Sequence, residues 1–176
     1  MIIYADEAGI NLLPSVHRTY AEIGQTPILK DACKYTHLSV ASGITEDGRL
    51  IYQIRQDSFN GKGIVLFLEH LAKQVKEKIL LIWDGAKIHS SISVKEYLDN
   101  QKSNKIWLVK TPAYCPELNA DELVWNRIKN VELKNVCCKT VSELKIKTID
   151  AMEKLNEHKD VILSFFKHPK VGFINN

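Results

Sequence analysis

At 176 residues, with 45% apolar and 26% charged side chains, the chain carries enough hydrophobic material for one globular domain with its own core, which excludes a disordered segment. No apolar run approaches the roughly 20 residues of a membrane-spanning helix, and the amino terminus opens on MIIYADE in place of a basic region and an apolar signal, so a soluble, cytoplasmic protein with no membrane partner is expected. A net charge of +3 is compatible with nucleic acid without pointing to it, and the four cysteines (Cys33, Cys115, Cys137 and Cys138) contain no CxxC pair, which argues against a zinc site or a disulfide framework.

In chain order, residues 1 to 6 form a short apolar strand ending at Asp6, followed by a turn-rich stretch with LLP at 12 to 14 and GQTP at 24 to 27. YTHLSVASGI (35 to 44) and RLIYQIR (49 to 55) are β-rich runs. Between them, Asp47-Gly48 supplies the positive φ of a tight hairpin, so the two strands are expected to be antiparallel. From Gly63 the period changes: Ile64, Phe67, Leu68, Leu71 and Val75 make the stripe of an amphipathic helix. KILLIW (78 to 83) is an almost continuous apolar run, which predicts a central parallel strand buried on both faces, with Asp84 at its carboxyl end.

A helix over about 92 to 100, capped by Ser90 or Ser91, precedes a strand KIWLVK at 105 to 110. Pro112 and Pro116 bracket a loop, and Asn119 caps a helix over about 120 to 131. Ser142 starts a long helical stretch in which Ile146, Ile149 and Met152 share a face. Strand, hairpin, helix, strand, helix, strand and terminal helices together predict an α/β fold, a mixed five-stranded sheet flanked by helices, in a single domain over 1–176 with a helical tail from about 131.

Three acids stand out because they come from elements distant in sequence: Asp6, Asp84 and Glu122. In open α/β sheets ligand chemistry collects at the carboxyl ends of parallel strands, where Asp6 and Asp84 fall, and a pair of divalent cations needs several carboxylates of this kind. Each acid also has a plainer explanation. Glu7 competes with Asp6, since adjacent strand residues face opposite ways. Asp84-Gly85 reads equally as a turn, with Lys87 as an ion-pair partner and His89 either touching phosphate or opening the next helix. Asn119-x-x-Glu122 has the spacing of a helix capping box, and Asp121 suits the first turn of a helix by its charge.

Four blocks, in order, carry a resemblance. TPAYCPELNADELVWNRIK (111 to 129) resembles the LPPYSPDLNPIEHVWxxLK signature of DDE transposases in the bacterial insertion-sequence branch of the Tc/mariner superfamily. WDGAKIH (83 to 89) is similar to the family's D-N-A-x-x-H block, YADEAG (4 to 9) to its F-x-D-E-S-G block, and RTYAEIGQTP (18 to 27) to its R-x-W-x-x-x-G-x-x-P segment. The 37 residues between Asp84 and Glu122 are close to the family's separation of its second and third acids. This chain departs from the pattern at Tyr20, Gly85, Ala113, Cys115, Ala120 and Asp121, the last where the family has a small apolar residue.

The resemblance implies a ribonuclease H-like fold and a DNA transposase or endonuclease performing phosphodiester hydrolysis and strand transfer. Asp6, Asp84 and Glu122 would be its catalytic residues and the ligands of two Mg2+ ions, with Mn2+ as a substitute. DNA is the implied partner, with Lys87, His89, Lys30, Lys34 and Lys62 as contacts to its backbone, in a prokaryotic cytoplasm and on the nucleoid when bound. Relatives carry a helix-turn-helix module ahead of the catalytic domain. Here the first catalytic strand begins at Ile2, which implies a catalytic half that works as a homodimer or with an N-terminal DNA-binding subunit. Three other readings compete: a nuclease that cuts without joining, an inactive remnant that binds DNA or assists assembly, and a phosphoacceptor receiver domain. The Asp47-Gly48 hairpin speaks against the last.

Overall fold

The computed structural model describes residues 1–12, 22–25, 36–101, 105–112, 115–167 and 171. Its centre is one five-stranded sheet of β1 (Ile2–Asn11), β2 (His37–Thr45), β3 (Leu50–Arg55), β4 (Ile79–Trp83) and β5 (Ile106–Lys110), in the spatial order β3-β2-β1-β4-β5. β1, β2 and β3 pair antiparallel, while β4 is parallel to both β1 and β5, which is the mixed sheet expected. The β2–β3 turn closes as the Asp-Gly pair predicts: Gly48 has φ +81° and its N–H donates to the Thr45 carbonyl at 2.9 Å.

β1 is longer than its apolar run. The parallel pairing with β4 covers only Ile2 to Tyr4, but the antiparallel ladder with β2 continues to Asn11, so Asp6 sits inside the strand and not at its end. The strand persists because β2, at Ser42, Ala41 and onward, supplies partners for backbone groups that the local sequence leaves open.

Alternation along the strands divides the core into two layers. Ile3, Ala5, Ile79, Leu81 and Trp83 pack under α1 (Gly61–Gln74) and α2 (Ile92–Asp99), where Ile64, Phe67, Leu68 and Leu71 form the buried stripe of α1. Tyr4, Leu38, Val40 and Ile44 face α3 (Glu122–Arg127), α4 (Val141–Glu157) and α5 (Lys159–Phe166). Asn60 caps α1 by accepting from the Gly63 N–H at 2.9 Å. No described helix is long and apolar enough to cross a membrane.

Several sequence expectations shift. β4 is buried on one face only: Leu80 is 38% exposed, because α4 and α5 lie over β1, β2 and β3 and leave the β4–β5 side bare. Ile146 is 59% exposed, and the inner face of α4 is made by Leu144, Thr148, Ala151, Met152 and Leu155. The helix expected over 120 to 131 is α3 followed by a π turn (Ile128–Glu132), closed by a bond from the Leu133 N–H to the Ile128 carbonyl at 2.8 Å. Glu132 pins that turn to α4, accepting from Arg127 Nε at 2.9 Å and Lys154 Nζ at 2.7 Å. α4 begins at Val141, one residue before Ser142, with Thr140 as its cap: the Thr140 hydroxyl accepts from the Glu143 N–H at 3.1 Å, while Glu143 reaches back to accept from the Lys139 N–H at 2.9 Å. Thr140→Ala is therefore expected to cost about 1 kcal/mol, measurable as a lower denaturant midpoint at unchanged slope.

Candidate active site

Asp6, Asp84 and Glu122 line one cavity of about 370 Å3 beside the middle of β1 and at the carboxyl end of β4, together with Thr111, Cys115 and Asn119. Each arrives by a different route. Asp6 shares the β1 face of Tyr4, toward α3, and lies opposite Ser42 in the ladder. Asp84 follows the last residue of β4, where its Oδ1 accepts from the Ala86 N–H at 3.0 Å and so turns the chain. Glu122 is the first residue of α3, exposed, and among the described residues its carboxylate has no hydrogen-bond partner.

The acids feel one another. Burial first, then the negative charge of Glu122 and to a lesser degree of Glu7 and Asp84, push the Asp6 carboxyl up to about 7, against the pull of the Glu7 N–H. Such an excess of negative charge is what a hard divalent cation would offset, and carboxylate oxygens are the donors such a cation prefers. The donor chemistry therefore fits magnesium or manganese, although among the described residues no three of His, Cys, Asp and Glu are gathered into a ready-made metal cage.

Alternation along β1 sends Asp6 and Glu7 to opposite faces of the sheet. Glu7 points to the opposite face, where its carboxylate meets His89 Nε2 at 2.9 and 3.1 Å. His89 belongs to a short 3-10 turn (Lys87–Ser90), is only 2% exposed, and stacks on Trp83 with centroids 4.1 Å apart. Its Nδ1 lies 2.9 Å from Asp84 Oδ1 and 3.2 Å from the Asp84 carbonyl. With carboxylates at both ring nitrogens the imidazole favours its charged form: burial pulls its pKa down, but the bond to Glu7 and the charges of Glu7 and Asp84 outweigh it. His89 is thus an internal clasp holding Asp84, and its burial corrects the expectation of a surface phosphate contact. Asp84's ion-pair partner among the described residues is His89, not Lys87.

The capping box at Asn119 does not form either. Asn119 Oδ1 accepts from the Asp121 N–H at 3.1 Å, and its Nδ2 donates to the Ala5 carbonyl at 2.8 Å, so the side chain ties the start of α3 to β1 and leaves Glu122 free. Asp121 stands at the start of α3, as the position of a charge favoured by the helix would suggest, but it does not face solvent. It is fully buried, accepts from Ser42 Oγ at 2.5 Å, and among the described residues its Oδ1 has no partner. Burial above all, with the charges of Asp6, Glu122 and Glu7 added, raises its pKa well above the usual carboxylate range, against the Ser42 bond. The clasp and the two ties escaped the sequence reading, and for the Asp121 tie the one signal was an acid standing where the resembled family has an apolar residue.

Of the lysines named from sequence, Lys87 is exposed next to the cavity residue Ala86, and Lys62 is exposed in the first turn of α1. Lys30 and Lys34 lie outside the described residues.

Comparison with known proteins adds the following. No curated protein matches the sequence. Solved structures do match the fold. The mariner Mos1 paired end complex with Mg superposes with a TM-score of 0.66 at 15% identity, over 93% of this chain and 54% of that one. The Mos1 transposase paired-end complex with left transposon end gives 0.62 at 14% identity, over 93% and 54%. The catalytic domain of Mos1 mariner transposase gives 0.57 at 12% identity, over 93% and 80%. The chain spans about half the length of the Mos1 chains in the paired-end complexes. These likenesses give the fold: a mixed five-stranded sheet flanked by helices, of the ribonuclease H-like kind that those catalytic domains share. Residues 1–145 match the profile described as DDE superfamily endonuclease, and the chain belongs to that family.

Proposed function

We propose that this chain is the catalytic domain of a metal-dependent DNA transposase in the insertion-sequence branch of the Tc/mariner superfamily, cutting phosphodiester bonds and joining the freed 3′ ends to target DNA. The observation that carries this reading is the cavity that Asp6, Asp84 and Glu122 all line, with Asp6 raised to about 7 by burial and by its acidic neighbours. Asp6 is fixed by the sheet ladders and Asp84 by His89 and the Ala86 N–H, while Glu122 approaches from α3. These three carboxylates would hold two Mg2+ ions, or Mn2+ in their place. Bound there, the ions supply a more acidic attacking water or 3′-hydroxyl and charge stabilisation at the leaving oxygen.

Two features of the relatives agree with this. Mos1 paired end complexes are known with Mg and with Mn, and one contains the left transposon end. In this reading Lys87 and Lys62 touch the DNA backbone, with Lys30 and Lys34, and the ends of the element are read by a homodimeric partner or a separate DNA-binding subunit. The protein acts in a prokaryotic cytoplasm, on nucleoid DNA.

The test is an assay of the purified chain on duplex DNA carrying a free 3′-hydroxyl, with Mg2+, with Mn2+ and with chelator. Metal-dependent nicking together with joined products is the expected result. Nicking without joined products reduces the function to a nuclease, and no cleavage under any metal leaves a remnant that at most binds DNA.

A further inference from the structure

We propose that Asp121 is a positioning residue that, through Ser42, docks the helix carrying Glu122 onto the strand pair carrying Asp6; the inference rests on the metal-dependent reading of the cavity given above. α3 has six residues and runs straight into a π turn, so its own hydrogen bonds cannot set its orientation. Tertiary ties must do so. Asp121 precedes Glu122 and is 0% exposed, and Ser42, also 0% exposed, stands directly across the ladder from Asp6. The Ser42 Oγ to Asp121 Oδ2 bond of 2.5 Å therefore links the neighbour of one cavity acid to the partner of another.

A second buried link runs beside it. Asn119 Nδ2 donates to the carbonyl of Ala5, the residue before Asp6, and Asn119 Oδ1 holds the Asp121 N–H. Two attachments, one to β1 and one to β2, fix both the distance and the rotation of the first turn, which a single contact could not. Packing alone does not explain the carboxyl. Ala120, Val124 and Trp125 around it are buried, and an apolar side chain there would avoid the cost of an orphaned Oδ1.

The experiment compares Asp121→Ala, Asp121→Asn and Ser42→Ala with the parent chain by amide hydrogen exchange, Mn2+ titration calorimetry and DNA cleavage kinetics. Asp121→Ala and Ser42→Ala are expected to speed exchange at the amides of Leu123 to Trp125 and to weaken Mn2+ binding. They should also lower kcat by about 10- to 100-fold with KM for DNA unchanged. Asp121→Asn, which keeps an oxygen for Ser42, should restore all three readouts, and the double variant should be no worse than Asp121→Ala. If Asn and Ala behave alike, or if only the melting temperature moves, Asp121 merely fills space and the proposal is overturned. Should the parent neither bind Mn2+ nor cut DNA, the functional reading fails by itself. The exchange data then decide the tie: faster exchange in Asp121→Ala that Asp121→Asn reverses upholds it, and unchanged exchange overturns it.

Discussion

Asp84→Ala is expected to lower metal-dependent DNA cleavage by about 1,000-fold, the equivalent of several kcal/mol of transition-state charge stabilisation. The effect should be almost wholly on catalysis. The Asp84 side chain is half exposed, and without it His89 still bonds to Glu7 and to the Asp84 backbone carbonyl, so the buried clasp survives. Single-turnover cleavage at saturating DNA, with circular dichroism as a check on folding, measures the two separately. A folded variant that cuts within tenfold of the parent would put the chemistry elsewhere in the chain.

Asp6→Asn should make the metal-free protein more stable while abolishing cleavage. The sign follows from the raised carboxyl. A group whose pKa rises from 3.8 unfolded to about 7 folded contributes stability that is present in full below pH 4 and is lost as pH climbs through 7. Above that, the ionised Asp6 burdens the fold by on the order of a few kcal/mol. Removing the charge should raise the melting temperature at pH 8 by roughly 5 °C or more and change little at pH 4. Mn2+ should stabilise the parent more at pH 8 than at pH 6, since uptake requires the deprotonated acid, and should not stabilise Asp6→Asn. Thermal scans at these pH values, with and without Mn2+, measure each part.

The reach of the sequence follows the range of the interactions. The hairpin was legible because Asp47-Gly48 encodes its own turn, and α1 because Ile64, Phe67, Leu68 and Leu71 record a face that packs along its whole length. The three acids stood out because strand ends and helix starts can be read locally. What was hidden depends on partners far along the chain. Asp6 seemed to end its strand because only the pairing with β2 extends β1 to Asn11. Leu80 looked buried because nothing in KILLIW says that the terminal helices stop short of β4. His89 reads from its neighbours as a phosphate contact or the opening of a helix, because Glu7, which lies against its ring, is 82 residues away. Asp121 looked like a charge favoured by a helix end, and is instead a buried acid held by a serine 79 residues away.

The central claim is that Asp6, Asp84 and Glu122 together hold the divalent cations that cut DNA. Crystals soaked in Mn2+ and measured at its absorption edge test it most directly. Two anomalous peaks are predicted in the cavity, each with oxygens from at least one of the three carboxylates at 2.0 to about 2.4 Å, and both absent in Asp84→Ala. Manganese bound only at other carboxylates, with these three acids left unliganded at saturating metal, would contradict the account.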